Sequence, residues 1–486
     1  MNTGADFSAR YFDDGQLNGA LIVDPVGAAP ARDQIFVIQF YVPQKDSAGN
    51  PNFTNSVLTF NGRPWPYTER MEYQQGDSVR WRFINASADV HPLHLHGFYF
   101  RVTSRGDLQR DTLYSRAQER MGVTEFFEEQ TTATLSWKAD RPGGWIFHCH
   151  LSFHVTPVPK LGKEMLSDSA MAKLLFGAPD MDEMHEMGDS HAEKGMGNLM
   201  IAMTIKPSAT WKPYVGPRER LRLYIQTDST PADTARRFGY ALAKGSEMPG
   251  ENDVQWPGPP IILHKDQPTS IMVINRSTEP SQVHWHGLEI DSYYDGVAGI
   301  SSNGGMVSPM IFPRDSFEVT LIPPRSGSFM YHTHINDIRQ QSHGLYGPIV
   351  VLDSGERWNP ESDLIFQVGT DPTVTAILNG SASPPAMTLH AGTPYRVRLM
   401  NITLDVPFNQ LWLTSSTGLF PLWTPLAKDG YDLPEWQRDP RQARQRVSIG
   451  ETYDFSITFP GPGEYEMQGR FGSGTIYGRQ VIHVVK

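Results

Sequence analysis

The sequence predicts an all-β protein built from three β-sandwich units that follow a short N-terminal segment. Gly (43) and Pro (38) are plentiful, as expected where many short strands are joined by turns. The stretches VRWRFIN and YRVRLMN alternate apolar and polar residues, which indicates half-buried strands with one solvated face. The helical signal is weak everywhere except around residues 161–176.

An internal repeat gives the number of units. A Pro or Gly, an apolar step, a polar turn and a strand that ends in Asn recur in residues 61–87, 257–277 and 379–403. A closing strand after a Gly turn recurs in residues 16–25, 195–205, 344–353 and 476–485. We therefore predict complete units at residues 28–206, 216–353 and 356–486. Residues 1–27 would be an N-terminal stub that carries the closing strand of a missing or partial unit.

Composition and charge exclude several classes of partner. The formal net charge is −11 and no long basic run occurs, which argues against nucleic acid or an anionic membrane surface. No apolar run reaches the ~18 residues of a membrane span. Met1 is followed by Asn-Thr-Gly-Ala-Asp, which has neither the basic start nor the apolar core of a secretory signal. We expect a cytosolic protein or a mature or trimmed chain.

Residues 157–194 are predicted to be an insertion, because they show no strand alternation and are rich in Met, His and acidic residues. The segment carries Met165, Met171, Met181, Met184 and Met187, together with His185 and His191. One interpretation is a surface loop. The other is a binding site for Cu(I), since thioethers favour that ion.

Histidine is concentrated in four short clusters. Ten of the sixteen His residues lie in HPLHLHG (91–97), HCHLSFH (148–154), HWHG (284–287) and HTH (332–334). Each cluster contains His-x-His, and residues i and i+2 of a strand face the same way. Four such pairs in one chain indicate a multinuclear metal centre.

Cys149 is the only cysteine, so it is a small buried hydrophobe, a nucleophile or a metal ligand. On a strand, His148 and His150 point to one face and Cys149 to the other. A Cys with two His and a weak axial thioether is the ligand set of blue copper. His154, five residues further on, and His91, which is offset by an odd number of residues from His94, are suitably spaced for that set. A nucleophilic Cys149 would leave most of the histidines without a role.

The four clusters resemble the copper-binding motifs of the multicopper oxidase family, which includes laccases and metallo-oxidases, and the resemblance covers nearly the whole chain. It implies cupredoxin-like Greek-key domains and four coppers per chain: one type 1, one type 2 and two type 3. It assigns His91, Cys149 and His154 to the type 1 copper, and His94 and His284 to the type 2 copper. One type 3 copper would be held by His286, His332 and His150, and the other by His334, His96 and His148. Asp295 matches the family's proton-assisting, catalytic Asp, although an Asp before Gly296 is also typical of a turn.

Two features depart from the family pattern. The Cys-containing domain comes first here, so the domain order resembles a circular permutation, with a copper-free domain at residues 356–486. The position usual for the axial ligand is Pro159, which cannot bind a metal. We therefore predict Met196, in a Gly-Met-Gly turn, as the axial ligand. The alternatives are that Met196 only packs and that the axial position is empty or filled by Leu161 or Met165.

The resemblance implies an oxidase that takes single electrons from a reductant and reduces O₂ to water. Laccase-like oxidation of phenols and aromatic amines is the first expectation, and oxidation of Cu(I) or Fe(II) is the alternative. A copper-binding electron carrier without oxidase activity is a third hypothesis. The expected partners are a small-molecule or metal-ion reductant and O₂, with no nucleic acid and no membrane. The sequence is also compatible with an oligomer formed by copies of this chain. The family resemblance implies a secreted or periplasmic location.

Overall fold

The computed structural model describes residues 11–23, 26–27, 33–45, 47–53, 56–156, 195–228, 238–373 and 375–486. Within these ranges its regular secondary structure is almost entirely β-strand, with one short α-helix and a few 3₁₀ turns. The predicted all-β class is therefore confirmed. None of the described helices is long and apolar enough to cross a membrane. The helical signal at 161–176 and the Met-rich insertion 157–194 lie outside the described residues.

The first unit is a sandwich of two mainly antiparallel sheets. Its strands are β1 (Gln34–Tyr41), β2 (Gln44–Lys45), β3 (Pro51–Asn52), β4 (Val57–Phe60), β5 (Met71–Gln74), β6 (Asp77–Asn85), β7 (His91–Leu95), β8 (Phe100–Gly106), β9 (Asp111–Leu113), β10 (Arg120–Gly122), β11 (Thr124–Phe127), β12 (Thr132–Ala139), β13 (Gly143–Cys149) and β14 (Met200–Lys206). One sheet has the order β10-β8-β12-β6-β1-β4, with β9 beside β8, and the other β11-β7-β13-β14-β5. Two 3₁₀ turns, Asp13–Gln16 and Ser152–His154, flank this sandwich.

The second unit follows the same plan with two four-stranded sheets. Its strands are β15 (Glu219–Thr227), β16 (Phe238–Lys244), β17 (Ile261–His264), β18 (Thr269–Asn275), β19 (Val283–His284), β20 (Ser302–Asn303), β21 (Met306–Val307), β22 (Ser316–Leu321), β23 (Gly327–Thr333) and β24 (Tyr346–Leu352). Its sheets have the orders β16-β15-β18-β22 and β17-β24-β23-β19. A 3₁₀ turn lies at Ser292–Tyr294, and α1 (Asp337–Ser342) follows β23. The hairpin β20–β21 leaves this unit and pairs with β13 of the first, Ser302 opposite Gly144.

The third unit completes the series. Its strands are β25 (Asp363–Thr370), β26 (Ala376–Leu378), β27 (Met387–His390), β28 (Pro394–Asn401), β29 (Phe408–Ser415), β30 (Leu422–Lys428), β31 (Tyr431–Asp432), β32 (Arg441–Gln442), β33 (Arg444–Ser448), β34 (Thr452–Thr458), β35 (Gly463–Arg470) and β36 (Ile476–Val485). A 3₁₀ turn lies at Glu435–Gln437. The sheets have the orders β26-β25-β28-β34-β30-β31, with β32 beside β30, and β27-β36-β35-β29-β33.

The predicted internal repeat is visible in the strand pairing. In each unit an opening strand pairs in parallel with an earlier one: β6 with β1, β18 with β15, and β28 with β25. Each closing strand also has a parallel partner: β14 with β5, β24 with β17, and β36 with β27. Each unit has its own cluster of buried apolar side chains. The strands lie inside the ranges predicted for the three units, whose exact boundaries stay a prediction.

Residues 16–23, the described part of the closing strand predicted at 16–25, form no strand, and that part of the prediction is wrong. Residues 17–23 have no regular structure, and Leu17, Leu21 and Val23 are exposed. Alternating apolar residues form a stable strand only beside a partner strand that takes up their backbone hydrogen bonds. No described strand lies beside this segment.

Each opening strand ends in a buried Asn that closes a turn with its own side chain. Asn85 Oδ1 accepts from the hydroxyl of Ser87 at 2.7 Å, and Asn275 Oδ1 accepts from that of Ser277 at 2.7 Å. Asn401 Oδ1 accepts in the same way from Thr403 at 2.9 Å. This Asx-type turn sends the chain toward the strand that carries His94 in the first unit and His284 in the second.

Candidate metal centre

The histidines of the first and second units occupy equivalent positions in their paired strands. His94 on β7 pairs with His148 on β13, and His284 on β19 pairs with His332 on β23. His94 and His284 follow Asn85 and Asn275 by the same number of residues. The corresponding pair in the third unit is Gln410 and Arg470. An amide and a guanidinium are not the imidazole donors found at copper sites. The copper-free third unit stays a prediction.

Eight histidines from these two units converge at one buried place between them. Their ring nitrogens form three groups, within each of which all atoms lie within 4.8 Å of one another: His94, His96 and His284; His96, His148 and His334; His150, His286 and His332. Each group contains residues of both units. The last two groups contain the residues assigned to the two type 3 coppers, and the first adds His96 to the pair assigned to the type 2 copper; these copper assignments stay predictions. The His94 ring stacks on His286 at 3.8 Å and the His96 ring on His284 at 3.9 Å between centroids.

A separate group, outside the eight-histidine cluster, lies on the other face of β13. His91 begins β7, Cys149 ends β13 and His154 lies in the 3₁₀ turn that follows. The Sγ atom of Cys149 is 3.5 Å from Nδ1 of His154 and 3.9 Å from Nδ1 of His91. The two Nδ1 atoms are 3.2 Å apart. Cys149 and His91 are fully buried and His154 nearly so. The structure therefore brings together the three residues expected around a type 1 copper.

Hydrogen bonds to acceptors fix which ring nitrogen faces the cluster. A backbone carbonyl can only accept, so a ring nitrogen beside one carries the proton and its opposite nitrogen offers a lone pair. His94, His148, His284 and His332 each donate from Nδ1 to a carbonyl oxygen, at 3.0, 2.8, 2.8 and 2.6 Å. His286 does the reverse and donates from Nε2 to the Gly450 carbonyl at 2.8 Å. Such outer contacts orient the imidazoles of metal sites.

Burial keeps the rings neutral and therefore able to bind a metal. Loss of solvation lowers the pKa of His91 and of His148 to about 3. Burial, followed by the charge of neighbouring rings, lowers the pKa well below its usual range for His94, His96, His150, His286 and His332. Burial also raises the pKa of the Cys149 thiol. A metal must therefore displace a proton from this sulfur when it binds.

These donors fit copper. The Nε2 atoms of His94, His284 and His332 are buried and have no hydrogen-bond partner among the described residues. Unpartnered buried polar atoms are costly, and three that point into one cluster indicate a bound cation. Imidazole and thiolate are donors that suit copper, whereas carboxylates suit Mg²⁺ and Ca²⁺. No carboxylate belongs to any of the four described groups.

Asp295 lies behind the cluster, completely buried. Its Oδ2 atom accepts from Nδ1 of His96 at 2.8 Å, and its backbone carbonyl accepts from Nδ1 of His284 at 2.8 Å. Ser301 donates to the same Oδ2 at 3.4 Å. One residue of the second unit therefore holds a ring from each unit. The predicted turn before Gly296 is also present, because Asp295 ends a 3₁₀ turn.

Met196 lies close to the Cys149 group but its predicted axial role stays a prediction. Its side chain is buried in the core of the first unit. The next residue, Gly197, donates to the carbonyl of Val155 at 2.9 Å, and Leu199 donates to that of His154 at 3.0 Å. The turn is thus tied to the segment that carries His154. The alternative candidates Leu161 and Met165 lie outside the described residues.

Comparison with known proteins gives the family. Two models of the multicopper oxidase family match the chain, one over residues 38–157 and the other over residues 242–356. The chain belongs to the multicopper oxidase family. The first match contains the His91 and Cys149 clusters, and the second contains HWHG and HTH. The circular permutation relative to other multicopper oxidases remains a prediction.

Curated multicopper oxidases align with short parts of the chain. Putative laccase-16 of Oryza sativa is 33% identical over 121 residues, which is 24% of this chain and 24% of that protein. Iron transport multicopper oxidase fio1 of Schizosaccharomyces pombe is 33% identical over 127 residues, 24% of this chain and 20% of that protein. Copper resistance protein A of Escherichia coli is 32% identical over 95 residues, 20% of this chain and 14% of that protein. The chain thus spans about a quarter or less of these relatives' length.

A solved structure, the blue copper oxidase of Nitrosomonas europaea, resembles part of the fold. The TM-score is 0.43 with 19% sequence identity, over 55% of this chain and 86% of that one.

Several residues around the metal centre of this multicopper oxidase were not predicted from the sequence. Ser87 contacts Nε2 of His91 through its hydroxyl at 2.8 Å, and Asp89 Oδ2 lies 3.5 Å from Nε2 of His154. Burial alone would raise the pKa of Asp89, but its hydrogen bond with His154 and that ring's charge lower it overall. Ser87 belongs to the Asn-x-Ser pattern and Asp89 follows it in the turn that Asn85 closes, so this pattern is the signal that would have found them. Thr124 and Gly450 have no such signal.

Proposed function

We propose that this protein is a copper-dependent oxidoreductase that takes single electrons from a reducing substrate and uses O₂ as the final acceptor, with water as the product. The observation that carries the proposal is the arrangement of β13. His148 and His150 point into the eight-histidine cluster, and Cys149 between them points into a separate Cys-His-His group. A one-electron site and a multinuclear site are thus joined by adjacent residues of one strand.

Bound copper would supply reversible one-electron transfer at Cys149 and the gathering of four electrons for O₂ at the histidine cluster. The chain itself keeps the two sites at a fixed separation. The Nδ1–H of His148 donates to the carbonyl oxygen of Cys149 at 2.8 Å. This bond adds a second route, beside the covalent one, between the thiolate residue and a cluster ligand. The rigid, buried sheet around it limits reorganisation.

Asp295 is proposed as a positioning residue for the cluster. It holds the Nδ1–H of His96 with its carboxylate and that of His284 with its carbonyl, which directs both Nε2 atoms inward. Its Oδ1 atom is buried and has no hydrogen-bond partner in the described part of the chain. That oxygen is the place where the carboxylate would hold or release a proton during the reduction of oxygen to water.

The proposed substrate class is phenols and aromatic amines, as for a laccase. The similarity to putative laccase-16 supports this class. Oxidation of a metal ion is the alternative, supported by the five thioethers of residues 157–194 and by the similarity to an iron transport oxidase and a copper resistance protein. Steady-state kinetics with a phenol, Fe(II) and Cu(I), measured side by side, distinguish the two.

Copper content and oxygen uptake test the general proposal. We expect about four coppers per chain and one O₂ consumed for every four electrons donated, without accumulation of hydrogen peroxide. A protein that binds copper and exchanges electrons but consumes no O₂ would instead be an electron carrier, and the proposed oxidase function would be wrong.

The insertion provides the test of the metal-ion alternative. Replacing Met165, Met171, Met181, Met184 and Met187 by Leu keeps apolar volume and removes the sulfur that selects Cu(I). If the insertion delivers Cu(I), its oxidation should slow strongly while phenol oxidation stays unchanged. Equal Cu(I) kinetics in the parent and the variant would exclude this role. In that case a shortened loop should accelerate only bulky phenols, as expected for a segment that covers the substrate site.

A further inference from the structure

The third unit, which lacks the histidine pattern, reaches the metal centre through one backbone carbonyl. The oxygen of Gly450 accepts from Nε2 of His286 at 2.8 Å and from the hydroxyl of Thr124 at 2.9 Å. Thr124 Oγ1 is in turn 3.2 Å from Nδ1 of His94. Because the Thr124 proton is donated to Gly450, its oxygen is left to accept from His94, as a second and longer contact beside the Val123 carbonyl at 3.0 Å. One carbonyl of the third unit therefore connects a histidine of the first unit with a histidine of the second.

This carbonyl determines which nitrogen His286 offers. A carbonyl oxygen has two lone pairs and no proton, so the Nε2 atom of His286 must be its donor. The lone pair is then on Nδ1, which lies 3.2 Å from Nε2 of His150 in the cluster. The rings of His94, His148, His284 and His332 carry the proton on Nδ1 instead. The third unit thus imposes the opposite tautomer on one ligand.

Comparison of the three units shows why a glycine stands at this position. The backbone N–H of Gly450 donates to the carbonyl of Asn401. In the same turn of the first and second units, Gln130 donates to Asn85 and Arg314 to Asn275. All three residues have positive φ: 59° for Gln130, 74° for Arg314 and 78° for Gly450. A side chain is therefore tolerated by the backbone of this turn, and the reason for glycine lies elsewhere.

The space beside Gly450 supplies that reason. A Cβ atom at this position would lie 3.0 Å from Cδ2 of His150, 3.0 Å from Oγ1 of Thr124 and 3.2 Å from Cε1 of His286. These distances are shorter than ordinary carbon contacts, and all three neighbours are held by hydrogen bonds or by the cluster. The close approach of the backbone to the two histidines therefore favours glycine at position 450.

A buried ion cluster fixes the third unit against the first. Asp429 Oδ2 accepts from the backbone N–H of Val123 at 3.1 Å and of Thr124 at 3.3 Å. Lys428 donates to the carbonyl of Thr124 at 2.8 Å and pairs with Asp429 at 2.6 Å and with Glu451 at 3.2 Å. These contacts fix the backbone N–H and carbonyl of Thr124, and also Glu451, which follows Gly450. The position of the Gly450 carbonyl is therefore well determined.

The third unit also holds the strand that carries His332. At the start of β23, Ser328 donates to Asp454 at 2.5 Å and accepts from Arg398 at 2.9 Å. The Ser328 carbonyl accepts from Thr452 at 2.8 Å. Further along, the side chain of Gln341 in α1 donates to the carbonyl of Ile402 at 2.7 Å.

We infer that the third unit is a functional part of the metal centre, in which the Gly450 carbonyl is the positioning group that sets the ligating nitrogen of His286 and, through Thr124, the orientation of His94. The expected effect on copper binding rests on the proposed function. The ring tautomers do not, because they can be measured in the metal-free protein. Loss of an outer-shell partner of a metal ligand costs roughly 10–100-fold in metal affinity. The same range is expected when this contact is lost.

The first experiment uses the metal-free protein. Imidazole ¹⁵N NMR distinguishes Nδ1–H from Nε2–H tautomers, and it should show Nε2–H for His286 and Nδ1–H for His94 and His284. Finding His286 in the Nδ1–H form would overturn the inference whether or not the protein proves to be an oxidase. This measurement therefore separates failure of the inference from failure of the proposed function.

The second experiment compares two Gly→Ala variants of the same unit. Gly450→Ala places a methyl group against His150 and His286. Gly418 has almost the same φ, 80°, and an added Cβ would have nothing within 4 Å. Gly418→Ala therefore introduces the backbone strain without the contact to the histidines. After copper loading, we expect Gly450→Ala to lose cluster copper to a competing chelator at roughly 10–100-fold lower chelator concentration than Gly418→Ala. The red thiolate-to-copper absorption at Cys149 should persist in both. Equal copper retention would overturn the inference.

Thr124 supplies a gentler pair if Gly450→Ala does not fold. Thr124→Val keeps the shape but removes the hydroxyl that joins Gly450 to His94, whereas Thr124→Ser keeps it. We expect a changed type 2 electron paramagnetic resonance spectrum and weaker cluster copper in Thr124→Val, with recovery in Thr124→Ser. Identical spectra for Val, Ser and parent proteins would show that the contact only packs. Absence of copper from the parent protein would instead refute the proposed function.

Discussion

His96 donates from Nδ1 to Oδ2 of Asp295 at 2.8 Å, although the two residues are 199 positions apart in the chain. The bond crosses from the first unit to the second and is fully buried. It aligns a ring that takes part in two of the three described histidine groups. The cluster therefore depends on contact between units as well as on the order of residues within each strand.

Asp295→Asn tests this contact. An amide oxygen can still accept from His96, but it carries no charge to hold the ring firmly or to take part in proton transfer. We expect oxygen uptake to fall ~100-fold or more, in the range of general acid–base effects, with the blue colour retained. Asp291→Asn is the matched control, because Asp291 accepts from Trp211 at 3.0 Å away from the cluster. Equal loss of activity in both variants would show a general structural effect.

Cys149→Ser tests the one-electron site. A hydroxyl does not form the thiolate–copper bond that produces an intense absorption in the red, so the copper-loaded variant should be colourless. Substrate oxidation should disappear, because electrons no longer enter. The eight-histidine cluster should still bind its copper, as measured by copper analysis. A variant that stays blue contradicts the assignment of Cys149.

Lys428→Met tests the ion cluster that joins the third unit to the first. Lys428 and Asp429 are both about 2% exposed, and removal of the cation leaves buried carboxylates without compensation, at a cost of about 3–5 kcal/mol in the free energy of unfolding. Lys206→Met is the control: Lys206 pairs with Glu72 at the same distance of 2.6 Å but lies at the surface, where such pairs contribute roughly 0–1 kcal/mol. Denaturant unfolding of both variants measures the difference, and equal losses would contradict the prediction.

Asp337→Asn tests a partly buried carboxyl near His284 of the cluster, in the metal-free protein. Burial raises the pKa of Asp337 from 3.8 to about 7, and its Oδ1 atom has no hydrogen-bond partner among the described residues. Between these two pH values the folded state holds a proton that the unfolded state has released, so stability falls as pH rises through this window. Asn cannot ionise. The variant should therefore gain melting temperature relative to the parent as pH rises from about 4 to 7, and differ little below pH 4. A pH-independent difference would show that Asp337 is ionised in the fold.

The sequence was most informative where the signal is local. Period-two alternation located the opening strands. The His-x-His pattern predicted that the histidines lie together, because strand geometry sends i and i+2 to one face, whereas their division into groups came from the family resemblance. The same reasoning failed for residues 16–25. Their alternation is that of a strand, but strand formation also requires a partner, which a single sequence does not reveal.

Contacts over long sequence separations could not be predicted. Gly450 and His286 are 164 residues apart, and Lys428 and Thr124 are 304 apart. Neither Gly450 nor Thr124 is an unusual residue in its local sequence, since glycine before a strand is typical of any turn. Their importance comes from the way in which three units pack, and this packing is determined by many side chains together.

The three Asn residues that close the opening strands have a practical consequence for producing the protein. Asn85-Ala-Ser, Asn275-Arg-Ser and Asn401-Ile-Thr all match the acceptor pattern for N-linked glycosylation. All three side chains are completely buried, and their amide groups donate to the backbone carbonyls of Asp89, Glu279 and Val447. A glycan attached to any of them before folding would keep the turn from closing. Expression through a eukaryotic secretory pathway should therefore yield misfolded material, whereas a bacterial host without this modification should not.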